Sequence, residues 1–250
     1  MTEHPESEPT SHRKPKTKKD KKKRPFWQEL PILIVVALVL SFVLQTFIAR
    51  VYLIPSESME TTLHGCAGCT GDRIVVDKIT YRFGDPEPGD VVVFLGPPSW
   101  NGNYKSIRSD NPVVRALQNA GSIFGVVPPD ENDLVKRVIA TGGQTVECRN
   151  SDGGVKVDGK LLNEPYTSNP EADAAKQQLP CLGPEFGPIK VPDGNVWVMG
   201  DNRMHSADSR YHIGDELQGT IPIENIRGKA RFIVLPPGRW GGIGSPNPQN

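Results

Sequence analysis

Three short stretches of this sequence hold side chains that could act together. The first is Ile54-Pro55-Ser56-Glu57-Ser58-Met59, with two hydroxyls two residues apart. A serine becomes a useful nucleophile when a neighbouring base takes its proton. The second is Leu134-Val135-Lys136-Arg137-Val138-Ile139, where two adjacent cations interrupt an apolar strand pattern. Side chains alternate along a strand, so Lys136 shares a face with Leu134 and Val138, and Arg137 with Val135 and Ile139. Burial lowers the pKa of a lysine, and a neutral lysine can accept a proton from a serine hydroxyl. The third stretch, Val198 to Arg210, leaves a strand at Gly200 and packs hydroxyls, carboxylates and guanidiniums into one loop. Such density suggests a network that fixes a loop beside a site. Each stretch has a plainer reading: a solvated or turn-capping serine, a wet edge strand, a solvated turn.

The elements that must position these residues begin with an anchor. Leu30 to Ala49 is twenty residues without a charge, about the length that crosses a hydrocarbon core at roughly 1.5 Å per residue. Phe26 and Trp27 precede it where interfacial aromatic rings settle. Pro31 is placed in the first turn, where its missing N–H is harmless. The overall charge is zero, yet residues 1–25 carry nine Lys/Arg against four acids, leaving +5 on the tail and −5 on the rest. That tail is too polar to bury surface against its chain entropy and reads as disordered. A lysine run can also bind nucleic acid, but basic residues flanking a span mark its cytoplasmic side and attract anionic lipid. A cleaved signal peptide fits less well, because the run is long and Phe47 stands where a small residue is wanted before a cut after Ala49. The expectation is an uncleaved single-pass anchor over 26–49 in the plasma membrane, with the N-terminus cytoplasmic and residues 50–240 an extracytoplasmic catalytic domain. Residues 241–250, rich in Gly, Pro and Asn, read as a disordered tail.

Gly 25 and Pro 24 of 250 residues suit a β-rich, loop-rich domain rather than a helical bundle. Strands are expected at 73–78, 90–95, 134–140, 195–199 and 230–234, with a hairpin over 155–161 turning at Asp158-Gly159. The fold class is therefore mostly β, behind one transmembrane helix. Residues 97–132, with a helix near 113–120, and residues 163–190 read as irregular insertions. All four cysteines follow the apolar run, in a location that permits disulfides. Cys66-Ala67-Gly68-Cys69 has redox C-x-x-C spacing, but no βαβ pattern surrounds it. Pairing of Cys66 with Cys69 and Cys148 with Cys181 is preferred among the three possible connectivities.

Together these stretches resemble the bacterial type I signal peptidases, membrane-bound serine proteases with a Ser/Lys dyad. Ile-Pro-Ser-x-Ser-Met is Ile54–Met59, Gly-Asp-x-Ile-x-Val-x-Lys is Gly71–Lys78, and the Lys-Arg strand is Lys136-Arg137 followed by Gly142-Gly143. Gly-Asp-Asn-Arg-x-x-Ser-x-Asp-Ser-Arg is Gly200–Arg210, matched at every specified position. The basic tail, single anchor and cysteine-bearing loop are most similar to enzymes of Gram-positive, actinobacterial type. Two departures stand beside the serine motif: Thr61 replaces a proline usual in the family, and His64–Thr70 is an insertion.

The resemblance implies that Ser58 is the nucleophile, Lys136 the general base and Ser206 the group orienting its amine. The oxyanion hole would use the Ser58 N–H and the Ser56 hydroxyl. Asp201, Arg137, Asp208 and Arg210 would structure the loop, and Tyr52, Ile54, Met59 and Val135 would wall a pocket for small side chains. Neither cofactor nor metal is implied. The implied partners are precursor proteins bearing signal peptides, cut after Ala-x-Ala-type residues, and the lipid bilayer; nucleic acid is not among them. Competing readings are a Ser/His arrangement using His205 or His212 with Asp208, an inactive membrane-tethered binding or assembly module, and a protease dedicated to a few substrates.

Overall fold

The structure is a computed structural model that describes residues 26–66, 68–100, 102, 106, 108–123, 127 and 132–250. The basic tail and much of the first insertion lie outside the described residues. The chain divides into two compact units, with the boundary between Ala37 and Leu38.

Helix α1 (Phe26–Val43) is apolar on all sides, and its side chains are mostly exposed, Leu33 and Val35 among them. A helix without a polar face is either buried in protein or set in a membrane. With the π-helical turn Leu44–Ile48, it supplies a span candidate, Glu29–Ile48, of mean hydropathy 2.6. Because the helix begins at Phe26, Pro31 falls in its second turn rather than its first.

The remaining strands form two antiparallel sheets. The larger sheet contains β1 (Ala49–Leu53), β2 (Arg73–Asp77), β3 (Val91–Leu95), β4 (Asp133–Thr141), β9 (Asn195–Met199), β10 (Ile221–Pro222), β11 (Ile226–Leu235) and β12 (Gly241–Gly242). Its order is β1-β2-β11-β3-β4-β9-β10, with β12 on β11. The smaller sheet, ordered β7-β6-β5-β8, contains β5 (Thr145–Arg149), β6 (Gly154–Val157), β7 (Lys160–Leu161) and β8 (Phe186–Lys190).

Sequence explains these choices locally. Val91 to Phe94 is a run of β-formers buried on both faces, as an interior strand requires. Asp158 (φ 50°) and Gly159 (φ 78°) adopt the left-handed conformations that a two-residue hairpin turn needs between β6 and β7. Strand β4 lies between β3 and β9, with Val92 opposite Lys136 and both Val91 and Met199 opposite Arg137. The two cations therefore sit on an interior strand, and the wet-edge reading does not hold. Two expected irregular regions are also ordered. Phe186–Lys190 is strand β8, because Phe186 and Ile189 bury against Val146 and Trp197. The C-terminal tail folds back: Gly244 O accepts from Arg137, Pro248 O from Asn163 N, and Gln249 donates to Ile139 O. The buried Arg137 guanidinium recruits one of these backbone carbonyls, a signal that composition does not carry.

Helix α3 (Pro112–Ile123) covers the expected 113–120, and a short helix α4 (Pro170–Ala175) lies in the second insertion. The disulfides are Cys66–Cys69 and Cys148–Cys181. The second joins buried residues in the cluster of Val146, Val155, Phe186 and Trp197 and spans a sequence separation of 33. Replacing Cys148 and Cys181 together by serine is expected to cost roughly 3–4 kcal/mol, the loop-closure value for that length, read as a lower urea midpoint in detergent.

Candidate active site

Strand β1 delivers the chain to Ile54, whose N–H donates to Asp72 O. The next residues tighten into a 3₁₀ turn, Glu57–Met59, which carries Ser58. Leu63 N donates to Met59 O, and Asp72 holds the following loop by accepting His64 N at 2.8 Å. Arg239 closes on the same carboxylate at 2.7 and 2.9 Å. The Gly71-Asp72 motif thus pins the segment after the serine.

Lys136 reaches this turn from β4. Its Nζ donates to Ser58 Oγ at 2.7 Å and to Val135 O at 2.9 Å. Ser58 is 8% exposed and Lys136 4%. Loss of hydration at the buried amine pushes the lysine down to about 8; the charges of Asp208 and Asp201 oppose that shift, and Arg210 adds to it. Ser56 Oγ lies 3.3 Å from Ser58 Oγ, so a second hydroxyl borders the same oxygen.

The loop after β9 closes over both residues. Asn202 N donates to Ser58 O at 3.1 Å, and Gly200 N donates to Asp208 Oδ2 at 3.0 Å. Position 200 must be glycine for space: an added Cβ would fall 2.3 Å from Ser206 Oγ and 2.5 Å from Ser58 O. Ser206 Oγ is buried there, close to Asp208, whose carboxyl it helps to hold down. Asp201 takes a two-pronged fork from Arg137, Nε to Oδ1 at 2.8 Å and Nη2 to Oδ2 at 2.6 Å. Arg137 Nη1 donates to Gly89 O and Gly244 O. Arg210 forks Asp208 at 2.8 and 2.9 Å. Burial alone would raise the Asp208 carboxyl, but the Arg210 charge and hydrogen bonds hold it below the usual carboxylate range.

Tyr52, Ile54, Met59 and Val135 meet in one apolar cluster beside the serine turn. Ile54 and Met59 are 2% and 1% exposed, so Tyr52 and Val135 present the accessible part of that wall. His205 does not approach Ser58. Its Nδ1 lies 3.0 Å from Glu57 Oε1 and its Nε2 3.3 Å from Glu171 Oε2, at the surface. Hydrogen bonds to Glu171 and Glu57 raise its pKa. His212 stacks on Trp100, 4.2 Å between ring centroids.

Several supporting residues had no local signal in the sequence. Tyr166 lies with its ring 4.1 Å from the Arg137 guanidinium carbon. Thr62 donates to Asp201 at 2.5 Å. Glu164 takes a fork from Arg203, with Nη1 at 2.9 Å. Only the density of charge in Gly200–Arg210 hinted that distant partners were needed.

A serine hydroxyl held by a buried amine, beside a second hydroxyl, is an arrangement able to perform serine-hydrolase chemistry. Residues 27–235 match the family described as Signal peptidase, peptidase S26. "Probable signal peptidase I" of Mycobacterium leprae is 61% identical over 92% of this chain and 83% of the relative. "Signal peptidase I" of Mycobacterium tuberculosis is 62% identical over 91% of this chain and 79% of the relative. A crystal structure of a signal peptidase I from Enterococcus faecalis is 22% identical, covers 58% of this chain and 97% of that one, and superposes with a TM-score of 0.37. The chain belongs to the signal peptidase family, peptidase S26, whose type I members are serine endopeptidases.

The fork between Arg137 and Asp201 is sealed from water, at 1% and 0% side-chain exposure. Asp201→Asn leaves a buried guanidinium facing a neutral amide. It is expected to lower stability by about 3–5 kcal/mol, measured by urea unfolding in detergent, with the serine turn disordered before the sheet.

Proposed function

We propose that this chain is a membrane-anchored signal peptidase that removes N-terminal signal peptides from exported precursors after Ala-x-Ala-type residues. The observation that carries this reading is the 2.7 Å contact between Lys136 Nζ and Ser58 Oγ, with both residues buried. In the neutral form, Lys136 takes the hydroxyl proton as Ser58 Oγ attacks the scissile carbonyl. The resulting ammonium then gives that proton to the leaving amine, and an acyl-enzyme remains on Ser58. Water activated by the same amine hydrolyses the ester, as in other base-assisted serine hydrolases. The Ser56 hydroxyl and the Ser58 N–H face the developing oxyanion. A preset donor of this kind contributes on the order of 3 kcal/mol.

Ser206 serves as the positioning group for the lysine. Its buried hydroxyl, beside Asp208, is available to the amine when Lys136 turns between serine and leaving group. Asp201 with Arg137 and Asp208 with Arg210 hold the loop that carries Ser206. Tyr52, Ile54, Met59 and Val135 form a shallow apolar wall, suited to small residues before the cut.

Residues 26–49 are the single-pass anchor, residues 50–240 the extracytoplasmic catalytic domain, and the basic tail the cytoplasmic end. Two disulfides in the second unit support that placement. Confinement of enzyme and precursor to one membrane raises their effective concentration.

The reading is tested with a fluorogenic Ala-x-Ala precursor peptide in detergent. Ser58→Ala and Lys136→Ala are each expected to lower kcat by ~10³-fold or more while remaining folded. His205→Ala should stay near wild type, since both ring nitrogens face surface carboxylates. Full activity in Lys136→Ala overturns the base assignment. Failure of the wild type to cut any such peptide brings the binding-module reading forward.

A pH profile supplies a second check. The base must be neutral, so kcat/KM should rise with pH through about 8 and then level off. Ser206→Ala should lower kcat far more than it raises KM, whereas a purely structural role would show as lost stability.

A further inference from the structure

The turn that carries Ser58 runs on into a small loop whose side chains the proposed chemistry does not use. His64, Cys66 and Cys69 meet there, with their ligand atoms all within 4.8 Å of one another. The spacing is His-x-Cys-x-x-Cys. Two sulfurs and an imidazole form a donor set of the kind that zinc takes.

The loop holds His64 firmly. Its N donates to Asp72 Oδ2 and its O accepts from Asp72 N, both at 2.8 Å. Glu60 Oε1 lies 2.5 Å from His64 Nδ1. A carboxylate on one ring nitrogen orients an imidazole whose other nitrogen binds a metal. Gly65 packs against the serine motif itself: an added Cβ would fall 2.6 Å from Ile54 O and 2.7 Å from Ser56 O.

In this structure the two cysteines are joined, which spends both sulfurs. Their bridge differs from the other one in access. Cys69 is exposed and Cys66 half-buried, whereas Cys148 and Cys181 are 0% and 1% exposed. A reductant therefore reaches the first pair ahead of the second. The first bridge also spans a sequence separation of 3 against 33, so it constrains the unfolded chain less. Stapling the fold accounts for less of its role.

A dithiol reductant supplies two electrons and two protons to the S–S bond. Two thiols result, and the reductant leaves as its own disulfide. The thiols lose those protons when their sulfurs bind a cation. Tetrahedral bonds of about 2.0–2.3 Å set ligands roughly 3.3–3.8 Å apart, inside the 4.8 Å that bounds the three ligand atoms here.

We propose that, in its dithiol form, this loop is a site for one zinc-type divalent cation, held by Cys66, Cys69 and His64 with the fourth position left to water. Bridge and metal are then alternative clasps on the segment that backs Ser56.

The test uses the full chain in detergent, reduced with dithiothreitol, freed of reductant without air and titrated with Co2+. The reduced protein should bind one equivalent and show thiolate-to-cobalt charge-transfer absorption, and the oxidised protein should show none. Zn2+ should displace the cobalt, and excess Ca2+ should not. Glu60→Gln should weaken binding by roughly 10–100-fold. His64→Ala, which keeps both thiols, should weaken it further; unchanged affinity in that variant overturns the ligand set. Absence of the band in the reduced wild type overturns the site. So does a full band in reduced Cys66→Ser/Cys69→Ser, which places the metal elsewhere. Unfolded thiols also take up metal, so the reduced chain is titrated again in urea. Affinity there lower by about tenfold or more supports a site made by the fold; equal affinity overturns it.

Discussion

The burial of one amine governs this structure. The proposed base role requires Lys136 to be dry enough to lose its proton near neutrality and close enough to Ser58 to use that basicity. An edge strand would leave it hydrated and cationic. An interior strand between β3 and β9 removes the water, but places the adjacent Arg137 in the protein as well. That second cation cannot shed its proton and cannot be left unpaired. It has a carboxylate fork, two backbone carbonyls and an aromatic face as partners. Much of the site's surroundings is therefore explained by the need to bury a lysine whose strand neighbour is an arginine.

The carboxylates bring an opposite difficulty. Asp201 and Asp208 are close enough for their negative charges to favour the ammonium form of Lys136. Unpaired, they would work against a neutral amine. Each is instead forked by its own arginine, so the amine faces two nearly neutral pairs rather than two free anions. Arg210 acts on Lys136 in the same direction as burial does. Arg210 thus helps tune the amine as well as hold the loop. Buried pairs of this kind add little net stability compared with apolar packing, so the action of Asp201, Asp208 and Arg210 on the amine gives a physical reason for charges buried around it.

How much of this was legible in the sequence depended on the range of the interaction. Short-range patterns gave strands β2, β3, β4 and β9 within a residue or so, because Val-rich runs and Pro/Gly turns act locally. The β6–β7 turn was readable for the same reason: Asp158-Gly159 is the chemistry such a turn needs. The serine, the lysine and the loop stood out by breaking the pattern around them. What the sequence hid were partners supplied from far along the chain. Glu164 for Arg203, Tyr166 for Arg137 and Arg239 for Asp72 have no feature that marks them out. Strand β8 was obscured by its Gly187-Pro188 pair, and the tail by a composition typical of loops. In each case buried polar or apolar surface elsewhere recruits the segment, and recruitment is a property of the fold.

The exposed and buried ion pairs around the serine turn do different work. His205 bridges Glu57, beside Ser58, to Glu171 on α4, but all three are open to water. Exposed pairs contribute ~0–1 kcal/mol and weaken with salt. Glu164 with Arg203 joins the second insertion to the loop after β9 under cover, at 12% and 2% exposure, and Arg203 also donates to Gly200 O. That buried fork is the firmer link between the second insertion and the loop over Ser58. The insertion is thereby part of the site's scaffold: it holds Gly200 in place from behind, and Gly200 in turn provides the only spacing at which Ser206 and the Ser58 carbonyl can both fit.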